Sequence, residues 1–339
     1  MQFLKALANG SPVYDVETLR SYVKDDLQII RSVKPDLIIG DFRLSLSVSA
    51  RVAQVPYAAI TNAYWSPFYR PRRFPLPVLP MTRYLPIGIA EMLFRIAGPL
   101  VFPRHCSPLN QVRKEYGIES VGSDLRRVYT DADHIFYADE PSLFPVPEKP
   151  MHHHFLGPLL WSPSLPVPAQ WDRFDPGKPT IYLTLGSSGS TMVAEQAYRA
   201  IDALGVNLIA ATAGASFPAS KNMRSVVTDY VPGDAAAARS RLVICNGGSP
   251  TSQQALDAGV PVLGIAGNMD QFMNMAGLVQ AGVGCLMRAD RINRKALQAS
   301  IESMLDDEQM LLRARKCAQI LRLNSLESAV KSTLLKISL

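Results

Sequence analysis

Short apolar runs that stop at glycine or aspartate and lead straight into amphipathic stretches recur along this chain, and that alternation predicts buried parallel strands joined by helical crossovers. In the second half, residues 180–185 read as a buried strand ending in Gly186-Ser187-Ser188-Gly189 and followed by a helix over about 192–204. Leu242-Val243-Ile244-Cys245 is another such run, broken at Asn246-Gly247-Gly248, where glycine lets the backbone turn sharply. A helix is expected at once, with Ser249 as its cap, Pro250 at its first position, Thr251 to Leu256 inside it and Gly259 ending it. The next strand, residues 260–265, carries a polar run expected to meet a ligand, Asn268, Asp270, Gln271 and Asn274, to the same carboxyl edge. In the first half, a helix closes at Lys34-Pro35, strand 36–39 leads to Asp41, a helical stretch runs through 45–53, and residues 55–60 give the next strand.

Two stretches break the alternation. Residues 62–86 are dense in proline, aromatics and arginine, which forbids a regular helix and predicts an extended loop, with a helical segment after it over about 87–101. Its aromatics either pin the loop to the core or face a ligand. Residues 157–178, rich in proline and holding Trp161 and Trp171, read as a linker, and domain boundaries are expected at 1–165 and 166–325. Residues 307–339 read as two amphipathic helices. His152-His153-His154 alternates faces on a strand and has no acidic or cysteine ligand at a zinc-like spacing, so a strand before the Gly157-Pro158 turn is expected, and no metal.

Composition narrows the class. A chain of 339 residues with 47% apolar content can bury two cores. A net charge of +6 without any run of five basic residues sets nucleic acid aside, while leaving attraction to anionic lipid or nucleotide. Cys106, Cys245, Cys285 and Cys317 are scattered and read as reduced core residues. No stretch of 18 apolar residues occurs, and the N-terminal residues are too polar for a secretory signal. A cytoplasmic protein is expected, with peripheral contact at the inner membrane face and a homodimer as further expectations.

The stretch from Asn246 to Asn274 resembles the donor-binding signature of the GT-B glycosyltransferases of family 1. Gly247, Gly248, Thr251, Ala255, Leu256, Gly259, Val260, Pro261, Asp270, Gln271 and Asn274 match that signature in order and spacing. Asn246 stands where the family has a phosphate-contacting histidine, Gln254 where it has a ribose-binding glutamate, and Pro250 where it has glycine. The resemblance implies that Gly186, Ser187, Asn246, Gly247, Gly248, Ser249 and Thr251 meet the donor diphosphate. It further implies that Val231, within Asp229-Tyr230-Val231-Pro232, lines the nucleobase, that Gln254 meets the ribose and that Asp270 and Gln271 meet the sugar. By the same resemblance Asp41 orients a catalytic histidine that lies upstream in the family, whereas the first 39 residues here contain no histidine. An N-terminal domain lacking its opening β-α-β units, and slow turnover, are therefore expected. Taken by itself, Asp41 fits a helix N-cap equally well.

The resemblance also implies that residues 62–101 shape an acceptor pocket, with Tyr64, Trp65 and Phe68 against an apolar aglycone and Arg70, Arg72, Arg73 and Arg83 toward an acidic group or phosphate headgroups. The expected fold class is α/β, two Rossmann-like domains facing across a cleft, with residues 326–339 as a helix crossing back to the first. The expected reaction is metal-independent, inverting transfer of a hexose from a UDP- or dTDP-sugar to a lipophilic hydroxyl acceptor, with no cofactor beyond the donor. The competing classes are a catalytically degenerate sugar-nucleotide-binding protein or partner subunit and, with a poorer motif fit, an epimerase of the same architecture.

Overall fold

The computed structural model describes residues 12–71, 73–186, 190–214, 217, 224–323 and 329–333. The chain divides into two compact units, Met1–Gly157 with Leu326–Leu339, and Pro158–Ser325.

The first unit is built on a four-stranded parallel sheet of β1 (Ile38–Asp41), β2 (Tyr57–Thr61), β3 (His134–Tyr137) and β4 (His153–Phe155), in that order. Helix α1 (Val16–Val33) starts where the Asp15 carboxylate accepts from the Thr18 N–H at 2.7 Å, and it ends at Lys34, whose left-handed φ of 51° precedes Pro35. Its buried face is Leu19, Val23, Asp26 and Ile30, an apolar stripe with one carboxylate in it. That carboxylate accepts from Arg43 Nε and Nη2 at 2.9 and 2.7 Å, from Ser45 Oγ at 2.6 Å and from Ser49 Oγ at 3.1 Å. Asp26 therefore fastens the start of α2 (Leu46–Ala53), whose N-cap is Ser45 and not Asp41. A buried carboxylate with this many donors is tolerated, whereas removing the donors would leave an uncompensated charge. Helix α3 (Ile87–Glu115) carries Pro99, Pro103 and Pro108 in its interior, and α4 (Leu125–Tyr129) leads toward β3. The stretch 62–86 is irregular except for short 3-10 turns at Ala63–Trp65 and Pro80–Arg83. Val330 packs with Ala58, Phe136 and Leu156 of this unit.

The second unit is a six-stranded parallel sheet in the order β10-β9-β8-β5-β6-β7. The strands are β5 (Thr180–Thr184), β6 (Asn207–Ala211), β7 (Ser225–Thr228), β8 (Leu242–Cys245), β9 (Val262–Ala266) and β10 (Gly284–Arg288). Helices α5 (Thr191–Asp202), α6 (Gly233–Ala238), α7 (Ser249–Asp257), α8 (Met269–Gln280) and α9 (Arg294–Asp306) alternate with them, and α10 (Glu308–Leu323) follows. The strands β5, β6, β8 and β9 are buried throughout, which is why they read as continuous apolar runs and not as alternating ones. The chain winds outward from β5 through β6 to β7, then returns to β8 on the other side of β5. In such sheets the crevice at the carboxyl ends of the two strands flanking that reversal is where ligands bind.

Candidate functional site

The two loops at that reversal come together. Gly186, with φ of 60°, follows β5, and a Cβ placed on it would stand 3.7 Å from Asn246 Nδ2 in the loop after β8. Ser187 lies outside the described residues. Asn246 Oδ1 accepts from the Gly248 N–H at 2.9 Å, closing the turn on itself. Gly247 has φ of 81°, and a Cβ there would lie 2.7 Å from Met275 Cγ, so both its conformation and its surroundings require glycine.

Gly248, not Ser249, is the N-cap of α7, so Ser249 and Pro250 occupy the first two helical positions. The cap slips back one residue because Gly248 holds the extended backbone (φ −72°, ψ 149°) that an N-cap needs. Thr251 completes the first turn, whose N–H groups have no intrahelical acceptor and sit at the positive end of the helix dipole. At the other end the Val260 N–H donates to Ala255 O at 2.8 Å and the Gly259 N–H to Leu256 O at 3.0 Å, a Schellman closure that Gly259 permits with φ of 73°. The helix that presents the cradle is thus fixed at both ends.

Three residues of the polar run after β9, Asn268, Gln271 and Asn274, are engaged in holding nearby backbone. Asn268 and Gln271 form a capping box: Asn268 Oδ1 accepts from the Gln271 N–H at 3.0 Å, and Gln271 Oε1 accepts from the N–H groups of Asn268 and Gly267 at 3.2 and 2.8 Å. Asn274 is buried and its Nδ2 donates to Gly247 O at 2.9 Å and Ser252 Oγ at 2.8 Å, locking the glycine turn to α7 from beneath. Gln271 and Asn274 therefore act through the backbone they hold. Asp270 is half-buried in the first turn of α8. Cys245, fully enclosed beneath the turn, has its thiol pushed up to about 12 by burial, which leaves it a protonated core residue.

On the other flank, Val231 is buried while its neighbour Tyr230 is largely exposed. Pro232, the N-cap of α6, has no side-chain oxygen, and Ser162 supplies one: its Oγ accepts from the Gly233 N–H at 2.8 Å and donates to Asp234 Oδ1 at 2.8 Å. The hydrogen bond from the Ser162 hydroxyl, followed by that from the Ala235 N–H, holds the Asp234 carboxyl below the usual carboxylate range. Gln254, on α7, donates from Nε2 to the carbonyl of Trp161.

In the first unit, Asp41 ends β1 with its side chain at the surface, yet partial desolvation raises its carboxyl above the usual range. The aromatics expected at an acceptor pocket have a different fate. Tyr64 and Trp65 are buried, Tyr64 against Phe144 (centroids 5.3 Å apart) and Trp65 against Tyr129 (4.6 Å), so neither offers a face to a ligand. They were expected at a pocket because aromatic spacing alone cannot distinguish a core anchor from a stacking surface. Phe68 is half-buried and meets His153 edge-on. Asp139, which sequence reasoning missed, holds this segment by accepting from the Ala63 N–H at 2.5 Å and Asn62 Nδ2 at 3.0 Å. Arg70 pairs with Glu148, Arg73 and Arg83 are exposed, and Arg72 lies outside the described residues. His153 is buried beside Tyr137, whose hydroxyl is 2.5 Å from its Nδ1 and 2.7 Å from Ser66 Oγ. Burial, with smaller contributions from His152, Lys149 and His154, drops the His153 imidazole to about 3, so it stays neutral. The open apolar surface lies on α3 instead, at Ile89, Met92, Leu93, Ile96 and Leu100.

Residues 180–332 match the model of the glycosyltransferase family 28 C-terminal domain. A PGL/p-HBAD biosynthesis glycosyltransferase of Mycobacterium tuberculosis is 46% identical over 318 residues, covering 94% of this chain and 74% of the relative. A PGL/p-HBAD biosynthesis rhamnosyltransferase of Mycobacterium bovis is 47% identical over 292 residues, covering 86% of this chain and 65% of the relative. Among solved structures, the spinosyn rhamnosyltransferase SpnG superposes with a TM-score of 0.67 over 94% of this chain and 78% of its own, both in complex with spinosyn aglycone (20% identity) and with thymidine diphosphate (18%).

Proposed function

Because the chain belongs to the GT-B glycosyltransferases, we propose that it moves a hexose or deoxyhexose from a dTDP- or UDP-sugar to a lipophilic hydroxyl acceptor, with inversion and without a metal. The observation that carries this reading is the glycine turn Asn246-Gly247-Gly248 opening α7 beside Gly186 at the sheet's reversal point. The first-turn N–H groups of α7 and the Asn246 side chain are the donors proposed for the diphosphate. As the anomeric bond breaks, charge grows on that diphosphate, and preorganised N–H groups at a helix N-terminus stabilise it without reorganisation. Pro250 removes one such donor from the turn, which Ser249 and Thr251 continue to frame. Asp270 stands for the sugar side and Val231 for the base, while Gln271, expected beside Asp270, holds the backbone before it.

Asp41 is proposed as the positioning carboxylate for a histidine base that takes the proton from the acceptor hydroxyl as its oxygen attacks the anomeric carbon. No histidine precedes His105 in this sequence, and no residue of it is assigned that base. The apolar stripe of α3 supports a lipophilic acceptor, with Phe68 as the remaining candidate of the loop before it. Arg83, Arg95 and Arg104, exposed around that stripe, support peripheral contact with an anionic membrane. No described helix is long and apolar enough to cross one. The rhamnosyltransferases among the relatives and neighbours make dTDP-rhamnose the first donor to test.

The test is a product assay with dTDP-rhamnose, dTDP-glucose and UDP-glucose against phenolic and aliphatic alcohols. Slow turnover with a nucleoside-diphosphate donor is expected, and because no histidine of this chain is assigned as the base for Asp41 to position, Asp41→Asn should leave both that slow rate and the donor KM within a fewfold. Absence of both product and nucleotide binding overturns the reading.

A further inference from the structure

The glutamine at position 254 has a structural explanation other than loss of a ribose ligand. A glutamate there has no proton to donate, whereas Gln254 Nε2 donates to the Trp161 carbonyl. The oxygen of the same amide lies close over Gly233, where a Cβ would come within 2.8 Å of Gln254 Oε1. The next residue, Ser162, is held by the Gly233 N–H and by Asp234. The segment carrying Trp161 is thus stapled at adjacent residues to α6 and α7. Trp161 is nevertheless 76% exposed, on a segment bonded to the helix whose N-terminus is proposed to cradle the diphosphate. An apolar ring of that size held in water by two polar staples calls for a partner.

We propose that Trp161 is the aromatic platform on which the donor's nucleoside stacks, and that Gln254 is the residue that positions it. The proposal rests on the donor site assigned under the proposed function and adds a side chain outside the glycine-turn motif. Base–aromatic stacking tolerates different bases, so thymine and uracil would both be accepted on this surface. Gln254 acts through Trp161, and its own replacement by glutamate distinguishes the two roles. A carboxylate facing a carbonyl oxygen repels it and releases the segment, whereas if position 254 serves the ribose alone, a carboxylate improves binding.

The chain has three tryptophans, and Trp65 and Trp171 are 4% and 1% exposed, so fluorescence quenchable by acrylamide reports Trp161. Adding dTDP or UDP to the full chain should shield that fluorescence. By calorimetry, Trp161→Ala and Gln254→Glu should each weaken dTDP binding about tenfold, the scale of one base–aromatic stack, and the double variant should be no weaker than either alone. Trp161→Phe should restore most of the affinity. Without nucleotide, Gln254→Glu should hasten chymotryptic cleavage at Leu160 and Trp161. Tighter or unchanged dTDP binding by Gln254→Glu, or unchanged binding by Trp161→Ala, overturns the proposal while the donor site stands. If the unaltered chain binds neither dTDP nor UDP, the donor site itself falls, and the platform with it.

Discussion

The glycine turn before α7 and the aromatic loop at 62–86 are both rich in residues that suggest a ligand, and the fold treats them in opposite ways. At the turn, the chemistry proposed to meet the ligand belongs to backbone N–H groups, and the surrounding side chains hold the backbone in place: Asn274 beneath Gly247, the capping box of Asn268 and Gln271, the Schellman closure at Gly259. In the loop, the conspicuous side chains are themselves the support. Tyr64 and Trp65 are buried and Asp139 pins the backbone, which leaves the open apolar surface to α3. A site made of backbone can be read from glycine and proline placement, whereas a site made of side chains depends on burial that the local pattern does not reveal.

Truncating Trp65 attacks that contrast hardest. Trp65→Ala should cost about 3–5 kcal/mol of stability in urea unfolding, as core aromatic truncations do. A stable variant with a raised acceptor KM would return Trp65 to the acceptor site. Removing the support beneath the turn comes next. Asn274→Ala leaves Gly247 O and Ser252 Oγ without their donor and should lower stability by about 1–3 kcal/mol, together with dTDP affinity. Intact affinity in that variant would show that the turn holds its shape unaided. Gln271→Ala, which removes half of a capping box, should cost about 1 kcal/mol.

The remaining effect is graded with pH and comes from a titration. The His153 imidazole is depressed to about 3 in the fold against about 6.5 in an unfolded chain. Above pH 6.5 it is neutral in both states and contributes no slope. As the pH falls from 6.5 toward 3 the unfolded chain takes up a proton that the folded one refuses, so stability falls by up to about 1.4 kcal/mol per pH unit. His153→Gln should flatten that part of the stability profile. An unchanged slope would place the acid sensitivity on other groups.

Much of the second unit was legible because its strands are buried on both faces and its turns are marked by glycine. β5 and β8 stand where their apolar runs are, and β9 begins at Val262 and not at residue 260, since Val260 closes the preceding helix and Pro261 follows it. The cap of α7 was misplaced by one residue because Ser249 is the better side-chain cap, while the backbone conformation belongs to Gly248. Asp26 could have been found as the one carboxylate on the apolar face of α1, a position that demands partners. Gln254 could not, because its partner is a backbone carbonyl 93 residues away and a carbonyl leaves no signature in sequence.

The central claim, that the N-terminus of α7 holds the donor's diphosphate, is tested most directly by comparing thymidine, dTMP and dTDP in calorimetric titrations of the same chain at two salt concentrations. The account predicts that affinity rises with each phosphate and that the gain shrinks at the higher salt. Equal affinity for thymidine and dTDP, independent of salt, would contradict it.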